Sequence, residues 1–123
     1  MSFWVTQYQT ARVQTVGPLT LVVSMYDGAL RFLRASIARQ AAEDLGGRGV
    51  ALSRAHAIVT ELRATLDHER GAGVAVELDA LYDFVLDRIV LATRVGDAGE
   101  VEPAIAVLER LASGWRELAR RGT

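Results

Sequence analysis

The amino-acid sequence predicts an all-α protein, folded as an antiparallel up-down four-helix bundle. Alanine, leucine, arginine and glutamate dominate its composition, and all four residue types favour helices. Glycine clusters near residues 46–49, 71–73 and 96–99 divide the chain into four long segments rich in apolar residues. The connections between these segments are short, which favours antiparallel packing of neighbouring helices.

The four helices are expected near residues 18–44, 50–69, 74–95 and 101–121. Pro18 and Pro103 stand at two predicted helix starts, where a proline forfeits no helical hydrogen bond. The residues before Gly17 alternate too irregularly for a helix or strand, so we expect an extended or weakly helical segment there. The predicted organisation is an N-terminal arm over 1–16, an extended segment or short helix that caps a groove, and a helical bundle domain over 17–121.

Length and composition narrow the class of protein. The 123 residues suit a single domain, and no apolar run approaches the roughly 20 residues that span a bilayer. No signal peptide is expected at the start of the sequence. The net charge of −1 gives no reason to expect nucleic acid or membrane insertion. The absence of cysteine suits a reducing cytoplasm.

The first predicted helix carries more apolar surface than one face of a bundle needs. Its apolar positions cover an arc of roughly 200°, whereas a bundle face needs little more than ~100°. The third predicted helix repeats this pattern beside an acidic stripe of Asp79, Asp83 and Asp87. Two interpretations stay open: both helices are central and touch more neighbours, or they form a groove for another helix or peptide.

The titratable residues predict no catalytic or metal-binding group. His56 has no carboxylate or second histidine at ligand spacing, and we expect it on the solvated surface. His68 is expected at the end of the second helix, where a cation suits the helix dipole. The acidic stripe is more typical of a solvated face than of a cation site. We therefore expect no enzyme activity, no cofactor and no metal.

Three stretches of the chain together resemble the FliS family of flagellar export chaperones. In that family an arm with Tyr-Gln precedes a Thr-x-x-Pro turn and a Leu-Tyr-Asp-Gly-Ala helix, and a tryptophan lies in the final helix. Here the matching motifs occur in the same order over nearly the whole chain. They are Tyr8-Gln9, Thr15 to Pro18, the stretch MYDGA at 25–29, Thr65-Leu66-Asp67, Leu81-Tyr82-Asp83 and Trp115.

The resemblance implies a cytoplasmic chaperone rather than an enzyme. Members of the family bind the disordered C-terminal region of flagellin, prevent its premature polymerisation and aid its export through the flagellar type III apparatus. The export apparatus and flagellar regulators are further implied partners, and the chain is expected to be a monomer or a weak homodimer. Two alternatives stay open: a chaperone or regulator for a different flagellar export client, and a purely structural or dimerising bundle.

The resemblance also implies a set of partner-binding residues. Tyr8 matches an arm tyrosine that contacts the client or caps the groove, and Thr15 matches the turn before the first helix. Asp27 follows Tyr26 as in the family and is expected to fix that tyrosine or a polar contact. Periodicity leaves open which apolar members face the client and which face the core. The full predicted set is Tyr8, Val13, Thr15, Leu19, Val22, Val23, Met25, Tyr26, Asp27, Leu30, Leu81, Tyr82 and Val85.

Overall fold

The computed structural model describes residues 18–121, and the predicted arm lies outside this range. The described chain is helical throughout apart from its connections, so the all-α four-helix fold is confirmed. A short 3-10 turn precedes the last helix. The elements are α1 (Pro18–Ala41), α2 (Leu45–Ala64), α3 (His68–Val95), the 3-10 turn (Ala98–Val101) and α4 (Glu102–Arg121).

Each helix packs against its neighbours in the chain, and α4 returns to pack against α1. The helices α1 and α3 therefore occupy diagonal corners of the bundle, as do α2 and α4. The most extensive contact between helices is that of α1 with α2, where Gly28 lies against Ile58. A Cβ atom built at Gly28 would lie only 3.3 Å from the Cδ1 atom of Ile58. The contact between α3 and α4 is less extensive.

Two helices begin earlier than the glycine clusters predict. The Asp44 side chain accepts a hydrogen bond from the backbone N–H of Gly47, which caps the start of α2. Asp67 caps α3 in the same way, through the N–H groups of Glu69 and Arg70. The prediction that the glycines at 46–49 interrupt the helices was wrong, because the Asp44 cap stabilises a first turn that runs through them. The cluster at 71–73 does interrupt α3, and only the first turn capped by Asp67 precedes the break.

The early start of α3 also corrects the expectation for His68. This histidine is the first residue of α3, not the last of α2. It therefore lies at the positive end of a helix dipole, which is the unfavourable end for a cation. Four residues later the helix is interrupted at Ala72, whose φ of 42° and ψ of −118° are not helical.

A polar cluster closes the end of the bundle where α1 ends and α2 begins. The Oε1 atom of Gln40 accepts hydrogen bonds from Arg48 Nη1 at 3.0 Å and from the backbone N–H of Ala98 at 2.7 Å. Arg48 Nη1 also donates to the carbonyl oxygen of Gly96 at 2.9 Å. Hydrogen bonds from Gln40 and then from the Gly99 N–H lower the pKa of the Asp97 carboxyl. These contacts tie α1 and α2 to the turn between α3 and α4.

Candidate functional site

The opposite end of the bundle is less fully covered by residues 18–121. Apolar side chains from α1, α3, α4 and the α2–α3 connection are only half-buried there, or exposed, in contrast to the central core. We call this region the open end. Its apolar members are Leu19, Val22, Val23, Leu66, Val74, Leu78, Trp115 and Leu118.

A cavity of about 350 Å³ lies at the open end, between the first part of α1 and the last part of α4. Thr20 and Val23 line it from α1. Ser113 and Ala119 line it from α4, and their small side chains leave space that a larger residue would fill. Arg116 and Arg120 complete the lining. The cavity therefore combines apolar contact area with two guanidinium groups.

Ion pairs run along the α1–α4 surface beside this cavity. Arg116 donates a hydrogen bond to Asp27, and Arg34 lies 3.1 Å from Glu109. All four side chains are about half exposed, so each pair contributes little to stability. Of the two roles that the family resemblance offers for Asp27, the structure shows the polar contact, made to Arg116 of α4.

Two buried tyrosines join the diagonal helices α1 and α3 above the centre of the core. The hydroxyl groups of Tyr26 and Tyr82 are hydrogen-bonded at 2.5 Å, and their ring centroids lie 6.2 Å apart. The ring of Trp115 lies 6.4 Å from that of Tyr26. Burial raises the pKa of both phenols, since it disfavours the charged form. Both tyrosines are therefore neutral packing residues.

The predicted partner-binding residues fall into three groups. Three lie outside the described residues: Tyr8, Val13 and Thr15. Five lie in the core with at most 4% exposure: Met25, Tyr26, Leu30, Tyr82 and Val85. Five keep accessible surface: Leu19, Val22, Val23, Asp27 and Leu81. A partner could touch the five core residues only if the helices separated, whereas contact of a partner with the five accessible residues stays a prediction.

The predicted set of partner-binding residues contains none from α4. Four of the six residues that line the cavity nevertheless belong to this helix. The sequence feature that could have indicated this role is the run of small residues at 112–114 together with Ala119, because small side chains leave space on this side of α4.

The remaining titratable groups have structural surroundings. Asp79 and Asp83 lie 3.9 Å and 3.2 Å from Arg63 of α2, and the three side chains keep much of their surface exposed, so the acidic stripe carries surface ion pairs. His56 is half-buried rather than fully solvated. Between residues 18 and 121 no group of three or more His, Cys, Asp or Glu side chains is placed to hold a metal ion. No helix in that range is long and apolar enough to cross a membrane.

A helical bundle with an uncovered apolar end is typical of a helical binding protein that receives a segment of another protein. Comparison with known families identifies the family of this chain. The family model described as flagellar protein FliS matches residues 2–122. The chain therefore belongs to the FliS family, as the sequence motifs predicted.

Similar proteins carry the name flagellar secretion chaperone. FliSB of Pseudomonas aeruginosa is 31% identical over 113 residues, which cover 89% of this chain and 90% of that protein. FliS of Salmonella typhimurium is 30% identical over 112 residues, covering 90% and 83%. FliS of Campylobacter jejuni is 35% identical over 107 residues, covering 86% and 83%. The family is thus one of chaperones for flagellar secretion.

Proposed function

We propose that this protein is the chaperone of a flagellin. In the cytoplasm it binds the disordered C-terminal segment of flagellin, prevents premature polymerisation and presents the client to the flagellar type III export apparatus. The family supports the general class of client, since its members are named flagellar secretion chaperones. The single observation that supports the place of binding is the uncovered apolar surface and cavity of the open end.

The physical requirements of such a chaperone suit this surface. A segment that later buries an apolar face in a filament is exposed and prone to associate while it is alone. A groove covers that face reversibly, and the client needs no stable fold of its own to bind. Ordering a disordered segment costs free energy, so a large contact area is needed for tight binding.

We assign separate roles to the accessible and the buried residues. Leu19, Val22 and Val23 contact the client directly, with Val23 beside the cavity. Tyr26 and Tyr82 hold the helices at their spacing from within the core. Met25, Leu30 and Val85 support the same surface from below. Tyr8, Val13 and Thr15, as residues of the arm, cover the open end in the free chaperone and leave it when the client binds.

Calorimetric titration with the C-terminal segment of a flagellin from the same organism tests the proposal. The unaltered chain is expected to bind one segment with a large negative heat-capacity change, because apolar surface is buried. Val23→Arg places a long cation beside Arg116 and fills the cavity. It is expected to weaken binding by about 100-fold, the size of a hot-spot loss.

Val50→Arg is the matched control. Val50 is 53% exposed and lies near the start of α2, at the closed end of the bundle. This variant is expected to bind the segment like the unaltered chain. Circular dichroism of both variants checks that the helices are intact. No binding by the folded unaltered chain, or equal binding by the Val23 variant, would contradict the proposal.

A further inference from the structure

The helix α3 carries an apolar face on the outside of the bundle that no other part of the described chain covers. Of the eight large apolar side chains that are exposed among residues 18–121, five belong to this helix. Val76 is 62% exposed and Phe84 is 41% exposed. With Ala80 and Leu91 they follow helical spacing along one face, opposite the core residues Tyr82, Val85 and Ile89. We call these four residues the outer face of α3.

Acidic side chains flank the outer face. Asp79 and Asp83 share the single guanidinium of Arg63. Within the described chain, Glu77 and Asp87 have no ion-pair partner. Arg94 lies three residues beyond Leu91 on the same side of α3, so the four carboxylates with Arg63 and Arg94 give the face a net charge of −2. Arg88 does not offset this charge, because it is engaged by Glu100 at 2.9 Å.

The charge decides between the possible occupants of this face. A second copy of the chain, docked symmetrically, would place these carboxylates against the same carboxylates, which is costly. Acidic lipids and nucleic acids are repelled for the same reason. A helix that combines an apolar stripe with flanking lysine or arginine complements both the apolar and the acidic parts of the surface.

We propose that the outer face of α3 docks a basic amphipathic helix of a second protein, distinct from the client. Phe84 is the anchor of this contact, since large aromatic side chains dominate binding at such surfaces. The carboxylates beside it fix the orientation of the incoming helix. The helix α1, which carries Val23, lies at the diagonal corner of the bundle, so the open end and the outer face can be occupied together.

Fluorescence anisotropy with a labelled synthetic peptide tests the proposal. The probe is a helical peptide with leucines at i, i+3, i+4 and i+7 flanked by lysines, and its isomer carries glutamate in place of each lysine. The full-length chain is expected to bind the basic peptide with a Kd of about 1–10 μM and the acidic isomer at least about tenfold more weakly. Phe84→Asp is expected to weaken binding of the basic peptide by about 30-fold.

Two further variants keep this test independent of the client site. Val50→Asp also puts a carboxylate on an exposed valine, away from this face, and is expected to leave peptide binding unchanged. Val23→Arg is expected to lose flagellin binding but to keep peptide binding. Equal binding of both peptides, or unchanged binding by the Phe84 variant, would overturn the proposal whatever the client proves to be.

Competition identifies any other occupant of the face. A saturating flagellin segment is expected to leave the basic peptide bound, giving a ternary complex. Displacement of the peptide would assign the outer face to the client and overturn the proposal of a separate partner. Markedly tighter peptide binding after deletion of residues 1–17 would assign the face to the arm, with the same consequence.

Discussion

At the scale of single residues, the tyrosine pair shows how a binding motif can act through the core. Tyr26 and Tyr82 stand in the two stretches that most resemble the family, yet neither exposes more than 2% of its surface. Their hydroxyl groups satisfy each other across the diagonal of the bundle. A buried hydroxyl that loses its partner costs free energy, so the two side chains depend on one another.

The losses of stability caused by replacing Tyr26 and Tyr82 are expected not to add. Tyr82→Phe leaves the Tyr26 hydroxyl buried without its partner and is expected to lower the free energy of unfolding by about 1–2 kcal/mol. The double Phe variant is expected to lose less than the sum of the two single losses. Urea denaturation of the three variants measures this coupling. Strict additivity would contradict the mutual role assigned to the pair.

The same pair predicts a loss of stability at alkaline pH. The folded-state pKa of each phenol is raised above its unfolded value of about 10. Their contribution is therefore complete below pH 10 and falls as the pH rises above it, since the unfolded chain releases protons first. Thermal melting between pH 9 and 11 is expected to show this fall, and the double Phe variant is expected to show less of it.

At the scale of elements, α3 is the least regular helix. Ala72 has a positive φ of 42°, which a residue with a Cβ atom adopts at a cost, and it is exposed. Ala72→Gly is expected to raise the free energy of unfolding by about 0.5–1 kcal/mol, because glycine tolerates this backbone. Ala80→Gly, at an exposed helical position of α3, is the control and is expected to lower it by about 1 kcal/mol. Urea denaturation compares the two, and a loss in both would contradict the strain assigned to Ala72.

The elements also show what the sequence can and cannot predict. The amphipathic arcs predict four helices. The glycine after Val95 predicts the end of α3, and the structure shows this glycine as the C-cap with a φ of 71°. The starts of α2 and α3 were missed, because the capping effect of Asp44 and Asp67 outweighs the poor helix propensity of the glycines behind them. The local sequence contains both the capping aspartates and the glycines, and the relative strength of the two effects decides where the helix begins.

The candidate site was harder to predict, for a reason of geometry. The helical period shows which residues share a face, but not which neighbouring helix covers that face. Leu30 and Val23 lie on the same broad arc of α1, yet the first is core and the second lines the cavity. The helix α4 lines the cavity because it packs against α1, and this pairing is a property of the assembled bundle.

At the scale of the whole molecule, the bundle has one closed end and one open end. The Gln40 cluster fixes the closed end through hydrogen bonds between separate elements. The open end has apolar side chains that residues 18–121 leave partly uncovered, and α1 begins there. This polarity is the basis of the proposal that the client binds at the open end while the closed end maintains the fold.

Hydrogen exchange with and without the flagellin C-terminal segment tests this central claim most directly. The account predicts added protection in the first two turns of α1 and the last two turns of α4, with the closed end unchanged. The outer face of α3 is expected to keep its exchange rates, since it is assigned to another partner. Protection confined to α3 or to the closed end, or none despite saturating client, would contradict the account.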